Sequence, residues 1–194
     1  MKEAESPAVV LSADTHDVLL FFTNRGRVFS LKCYRIPQDT SRTAKGTPLV
    51  NLLPITTEEQ VLIAVKADFT PGNFLVLATL KGRIKRTPIE KFASVRSRGI
   101  IAMSLPSGDE LVAGRLANDN DDIIMVSEQG KSIRFAVIDA RAMSRATQGV
   151  RGIRLSSGDR VVSMDIVDPD AYVLTVTSHG YGKMSPMSSF PVQH

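Results

Sequence analysis

The sequence predicts an all-β, propeller-like fold of about four blades, each grown from a four-stranded repeat of roughly 50 residues. Three observations predict it. A hairpin pattern occurs four times, and a serine–glycine–leucine motif recurs three times between the hairpins. Positive charge gathers in step with both.

The hairpins read "LLFFTNRGRVFSLK", "FLVLATLKGRIKRT", "DIIMVSEQGKSIRF" and "YVLTVTSHGYGKMS", near residues 18–32, 74–87, 123–135 and 172–185. Their glycines are Gly26, Gly82, Gly130 and Gly180, at spacings of 56, 48 and 50 residues. A hydroxyl residue stands three places earlier in each (Thr23, Thr79, Ser127, Thr177). The residue after the glycine is Arg27, Arg83, Lys131 or Tyr181. An aliphatic run, a short polar turn closed by glycine and a second run form a tight hairpin, with the glycine left-handed in a bulged type I turn.

The second motif reads "SRTAKGTPLVNL" (Ser41 to Leu52), "SVRSRGIIAMSL" (Ser94 to Leu105) and "SRATQGVRGIRL" (Ser144 to Leu155). In each, serine lies five residues before glycine and leucine six after it. An acidic turn and a further β-rich run follow: "TTEEQVLIAV", "SGDELVAG" and "SGDRVVSM". Each unit therefore supplies two hairpin strands and two more. Helical periodicity is absent, apart from a possible single turn at Asp139–Met143. With no interdomain linker, residues 1–194 read as one partial domain: three whole repeats and the first hairpin of a fourth, stopping at "FPVQH".

Composition bounds the function. Hydrophobic content of 43% and charged content of 23% are ordinary for a globular chain. No run is long and apolar enough to span a bilayer, no cationic–apolar leader opens the chain, and Cys33 is alone. A cytoplasmic protein without a membrane partner is expected. The net charge of +4 conceals a segregation: windows 24–46, 81–98 and 130–154 hold nineteen of the 24 Lys and Arg but only Asp39, Glu90 and Asp139 of the acids.

Catalytic chemistry is poorly supplied. His16, His179 and His194 lie in or beside turns or at the terminus, and no histidine accompanies Cys33 at a recognisable spacing. Asp119, Asp121 and Asp122 lack the glycine and distal glutamate of a calcium loop, so a solvated turn is the better reading. No phosphate-binding loop with a Lys-Ser/Thr ending is present.

Polyanion binding fits better. Cations cluster at the hairpins (Arg25 and Arg27; Lys81, Arg83, Lys85 and Arg86; Lys131 and Arg134) and before the second glycine (Arg42 and Lys45; Arg96 and Arg98; Arg141 and Arg145). Repeated about an axis, equivalent positions line one rim. With no Trp and 6% aromatics, base stacking is undersupplied, so the rim suits bent duplex phosphate rather than single strands. The bland alternative is that these charges keep a β-rich surface soluble and its edges unpaired.

The motifs "THDVLLFFTNRGRVFSLKCYRIP", "SRTAKGTPLVNLLP", "TQGVRGIRLSSGDRVVSM" and "SHGYGKMSPMSSFP" resemble the C-terminal domain of DNA gyrase A subunits, from about Asp14 to Pro191. The resemblance implies a β-pinwheel, a propeller-like ring whose neighbouring blades exchange a strand. It also implies a basic rim that wraps DNA and supports ATP-dependent negative supercoiling. Partners would be duplex DNA, the gyrase B subunit, and the rest of the gyrase A subunit. ATP and magnesium belong to the holoenzyme; the domain itself would hold no cofactor and perform no catalysis. The family's Gln-Arg-Arg-Gly-Gly-Lys-Gly box is absent, with "SRTAKG", "VRSRG" and "SRATQG" as weaker relatives. None of Tyr34, Tyr172 or Tyr181 takes the family's strand-cleaving role. The related topoisomerase IV domain and a protein-interaction propeller are the alternatives, and unpaired blade edges would favour self-association.

Overall fold

The computed structural model describes residues 9–38, 46–95 and 98–193. Each quoted hairpin forms two antiparallel strands. They are β1 (Val18–Thr23) with β2 (Arg27–Lys32), then β4 (Phe74–Thr79) with β5 (Arg83–Pro88), after the intervening β3 (Val61–Lys66). Further along, β6 (Ile100–Ile101) and β7 (Leu111–Ala117) precede the third hairpin, β8 (Asp122–Ser127) with β9 (Ser132–Ala136). Then come β10 (Val150–Arg151), β11 (Val161–Ile166) and the last hairpin, β12 (Tyr172–Val176) with β13 (Gly182–Pro186).

The strands do not stack in chain order. Blade one runs β3-β1-β2-β6, blade two β7-β4-β5-β10, and blade three β11-β8-β9, while β12-β13 stands as a separate pair. β6 follows the hairpin of blade two but pairs with β2 of blade one, Arg27 opposite Ile101 and Val28 opposite Ile100. β10 repeats the step, crossing back from blade three to β5, with Val150 opposite Ile84. The exchanged strand is thus outermost in its sheet. At the other end of the sheets, β7 lies beside both β3 and β11, and Arg115 of β7 pairs with Asp165 of β11 at 2.8 Å.

Packing between blades explains why the hairpin strands are apolar on both faces. β4 is buried almost throughout because a neighbouring sheet covers each side, and β1 because blade two covers one side and connecting-segment residues such as Leu49, Leu52 and Leu53 cover the other. Leu20, Phe22 and Val28 of blade one meet Leu75 and Leu77 of blade two, with the Phe22 and Phe92 rings edge to face at 6.1 Å. Ile84 and Val76 of blade two share a second core with Ile123, Met125 and Phe135 of blade three. The motif leucines anchor their segments to the cores: Leu105 and Leu155 pack onto these two, and Leu52 onto the face of blade one.

The periodic hydroxyls and acids lock the turns. The Thr79, Ser127 and Thr177 oxygens accept the N–H of Arg83, Lys131 and Tyr181 at 3.1–3.2 Å. Asp109 Oδ1 accepts the N–H of Lys81 at 2.9 Å, and Asp159 Oδ1 that of Gln129 at 3.1 Å. Glu59 stands at the corresponding place of the first repeat and accepts from the Thr23 hydroxyl. The turn of helix expected at Asp139–Met143 is displaced: a single 3-10 turn covers Val137–Asp139. Beyond it the chain must extend to reach blade two, where the Met143 N–H donates to the Arg86 carbonyl at 2.9 Å.

Candidate nucleic-acid interface

Strand exchange divides the predicted cations into two groups. The first group holds the fold. Arg27 pairs with Glu59 at 2.8 Å and donates to the Arg98 carbonyl at 3.0 Å. Arg83 donates to the Gln148 and Gly149 carbonyls, both at 2.8 Å. Each therefore grips the loop arriving from the next repeat.

Two residues expected on the rim are not there. Lys85 is 0% exposed, and its ammonium donates to the carbonyls of Ala102, Arg145 and Thr147. It stands three residues after its turn glycine, where the other repeats carry Phe29, Ile133 and Lys183. Burial, with Arg145 nearby, pushes its pKa down to about 8. Arg86 is also buried, paired with Asp119 and stacked 4.3 Å from the centre of the Phe74 ring. Arg134 is bound on two nitrogens by Asp122, at 2.7 and 2.9 Å. The acidic run Asn118–Asp122 is therefore a partner for strand arginines rather than a merely solvated turn. These two acids answer Arg86 and Arg134, one in each of two consecutive blades.

The second group faces solvent. Arg98, Arg141, Arg151 and Arg154 are exposed, Arg145 is half-buried, and none of them joins an ion pair among the described residues. All five lie on the crossing segments that carry the outermost strands. Lys81 and Lys131 are exposed at the hairpin turns, their ammonium groups on the Ser107 carbonyl (2.9 Å) and the Arg154 carbonyl (3.2 Å). Arg25 is exposed but paired with Glu58. Arg42, Lys45 and Arg96 lie outside the described residues. Arg151 and Arg154 were not singled out by sequence, although they lie between the motif glycine Gly149 and the motif leucine Leu155, within the crossing segment.

Successive crossing segments touch. The Ser104 N–H donates to the Thr147 carbonyl at 3.1 Å, and its hydroxyl to the Ala146 carbonyl at 3.2 Å. The solvent-facing cations of neighbouring blades therefore sit on adjoining strips of chain. Elsewhere, a cavity of about 510 Å³ opens along the inner strands, lined chiefly by aliphatic residues such as Val9, Leu62, Val112 and Val162. No group of three metal-ligating side chains occurs among the described residues, and no helix is long and apolar enough to cross a membrane.

Sheets that receive a strand from the following repeat, as blades one and two do, around a shared set of inner strands, define a β-pinwheel. The same fold occurs in the C-terminal domain of DNA topoisomerase IV (TM-score 0.85, 23% identity, 98% of this chain and 61% of that one). It occurs also in a DNA gyrase A C-terminal domain (TM-score 0.80, 27% identity, 94% and 58%).

The family described as "DNA gyrase C-terminal domain, beta-propeller" matches residues 17–61, 73–118, 121–168 and 171–194, and the chain belongs to that family. The DNA gyrase A protein of Dehalogenimonas lykanthroporepellens is 45% identical over 99% of this chain and 24% of its own length. Its Escherichia coli counterpart is 40% identical over 100% and 22%. The chain thus spans about a quarter of the curated relatives it matches, the portion that corresponds to their C-terminal domain.

Proposed function

We propose that this chain is the DNA-wrapping part of a gyrase A protein, binding bent duplex on its outer edge. In that role it would work with the rest of gyrase A, and with gyrase B, in ATP-dependent negative supercoiling. The observation that carries the reading is the set of exposed arginines without ion pairs on touching crossing segments: Arg98, Arg141, Arg151 and Arg154. Arginines carried on the adjoining crossing segments of successive blades meet a phosphate backbone that follows the curve. Duplex bending is then offset by contacts that a straight duplex could not reach.

The test compares a duplex of roughly 100 base pairs with one of roughly 20 across a salt series. The long duplex should bind more tightly, with affinity falling about 10³–10⁵-fold between 50 and 200 mM salt if six to ten phosphates are engaged. Replacing Arg98, Arg151 and Arg154 by Ala should flatten that slope. Absence of binding to either duplex at low salt would refute the reading.

A further inference from the structure

The crossing segment 144–149 has an unusual division of its backbone groups. All six carbonyls accept a hydrogen bond from the protein. That of Ser144 accepts from the Thr147 hydroxyl (3.0 Å), and that of Arg145 from the Lys85 ammonium. Those of Ala146 and Thr147 accept from the Ser104 hydroxyl and N–H. Those of Gln148 and Gly149 accept from the Arg83 guanidinium. None of the six N–H groups has an acceptor among the described residues. Ser144, Ala146 and Gln148 are exposed, and the other three are half-buried.

Backbone donors and acceptors both require partners. Here the acceptors are satisfied from within and the donors are left for solvent or a ligand. That asymmetry has an electrostatic sense. Carbonyl oxygens would repel an approaching anion, but these are neutralised by one ammonium, one guanidinium, a serine and the loop's own Thr147 hydroxyl. The buried Lys85 and half-buried Arg83 stand behind the loop, Arg145 lies within it, and Arg141 and Arg151 flank it. A row of unmatched main-chain N–H groups backed by cations offers an anion the kind of donors that backbone nests supply.

We propose that the main chain of Ser144–Gly149 is a phosphate-binding strip, seated by Arg83, Lys85 and Ser104 and presenting its N–H groups to phosphodiester oxygens. The inference rests on the duplex-binding reading and adds to it a contact made by backbone rather than by side chains. In consequence Arg83 and Lys85 are positioning residues. They act on DNA through the loop they hold.

The experiment follows backbone amide resonances of the 194-residue chain during titration with a short duplex and, separately, with inorganic phosphate. Amides of residues 144–149 should move downfield in both titrations, further than those of Ser178 and His179 in the last hairpin turn. Ala146→Pro, which removes one exposed N–H and no charge, should weaken duplex binding about tenfold, the usual effect of one hydrogen bond to a charged group. Its salt slope should be unchanged, whereas Arg145→Ala should lower the slope by about 0.9. Continued protection of the Ser104 amide, bonded to Thr147, reports that the loop is still seated in the proline variant. If the duplex binds while the loop amides stay silent, the strip is overturned and duplex binding stands. If no duplex binds, the duplex reading fails and the phosphate titration decides alone: selective shifts support an anion strip serving another phosphoester, and silence overturns it.

Discussion

The Gly82 carbonyl accepts two N–H groups from the exchanged segment, those of Gly152 at 2.8 Å and Ile153 at 3.2 Å. The Ile153 carbonyl in turn lies where a Cβ on Gly82 would be, at 2.9 Å. Gly26 stands in the same relation to Ala102 and Met103 one blade earlier. The turn glycine is therefore a docking point for the next repeat as well as a left-handed residue, with φ of 75° at Gly26 and 81° at Gly82.

Gly130 and Gly180 share the left-handed conformation, but a Cβ on either meets nothing within 4 Å. The four glycines thus separate two costs. Gly130→Ala and Gly180→Ala should lose roughly 1–2 kcal/mol from backbone strain alone. Gly26→Ala and Gly82→Ala must also push the neighbouring backbone away, and should lose clearly more. Chemical denaturation of the four variants checks this order, and equal losses would show that blade docking does not pass through the turn.

Lys85 supplies a pH dependence of definite sign. Its ammonium is lowered from 10.5 to about 8 by burial and by Arg145, the charged group that acts on it. The unfolded chain keeps this proton up to the ordinary lysine value, while the folded chain releases it near 8. The folded state is therefore favoured as pH rises from about 8 to 10.5, and below 8 this site contributes no pH dependence. The gain is of the order of 3 kcal/mol at most. Urea denaturation of the wild type should show this rise relative to Lys85→Met between about pH 8 and 10; parallel curves would mean that the amine keeps its ordinary pKa.

Asp109 tests the turn lock. Its Oδ1 satisfies the Lys81 and Glu110 N–H groups, whereas Oδ2 is buried without a partner among the described residues. Asp109→Ala leaves the Lys81 donor unmatched at a crowded turn and should cost about 1–3 kcal/mol. Asp109→Asn keeps the accepting oxygen and should cost visibly less. Thermal melts of the two variants give the comparison.

What could be read from sequence follows the range of the interactions. Hairpins and their glycines were legible because turn chemistry is local: Thr79, Gly82 and Arg83 fix one another within five residues. The strand exchange came from family likeness, since Ile100–Ile101 and Val150–Arg151 are too short to show a period and pair with strands from another repeat. The sign of the rim charge was legible, but its division was not. Arg83 and Arg98 look alike in sequence, and only the crossing of the loop makes one a clamp and leaves the other in solvent. For Lys85 alignment on the turn glycines gives a divided signal: it stands against apolar Phe29 and Ile133 but also against Lys183, so burial of the cation could not be read from its position.

That division yields the sharpest separation between holding the fold and binding DNA. Arg86 and Arg151 lie on paired strands of the same blade, yet Arg86 is buried against Phe74 and Asp119 while Arg151 is exposed. Removing the buried guanidinium leaves the Asp119 carboxylate without its partner and the Phe74 face uncovered. Arg86→Ala should therefore cost about 2–4 kcal/mol of stability, below the limit for a fully buried pair because Asp119 is half exposed. Its duplex affinity, measured where the variant is still folded, should keep the wild-type salt slope. Arg151→Ala should do the reverse: stability within about 0.5 kcal/mol of wild type, and a slope smaller by about 0.9 because one phosphate is no longer neutralised. Paired denaturation and salt-series binding read both quantities on the same preparations. A flattened slope for Arg86→Ala would place that residue at the DNA after all, whereas an unchanged slope for Arg151→Ala would take the exchanged strand out of the interface.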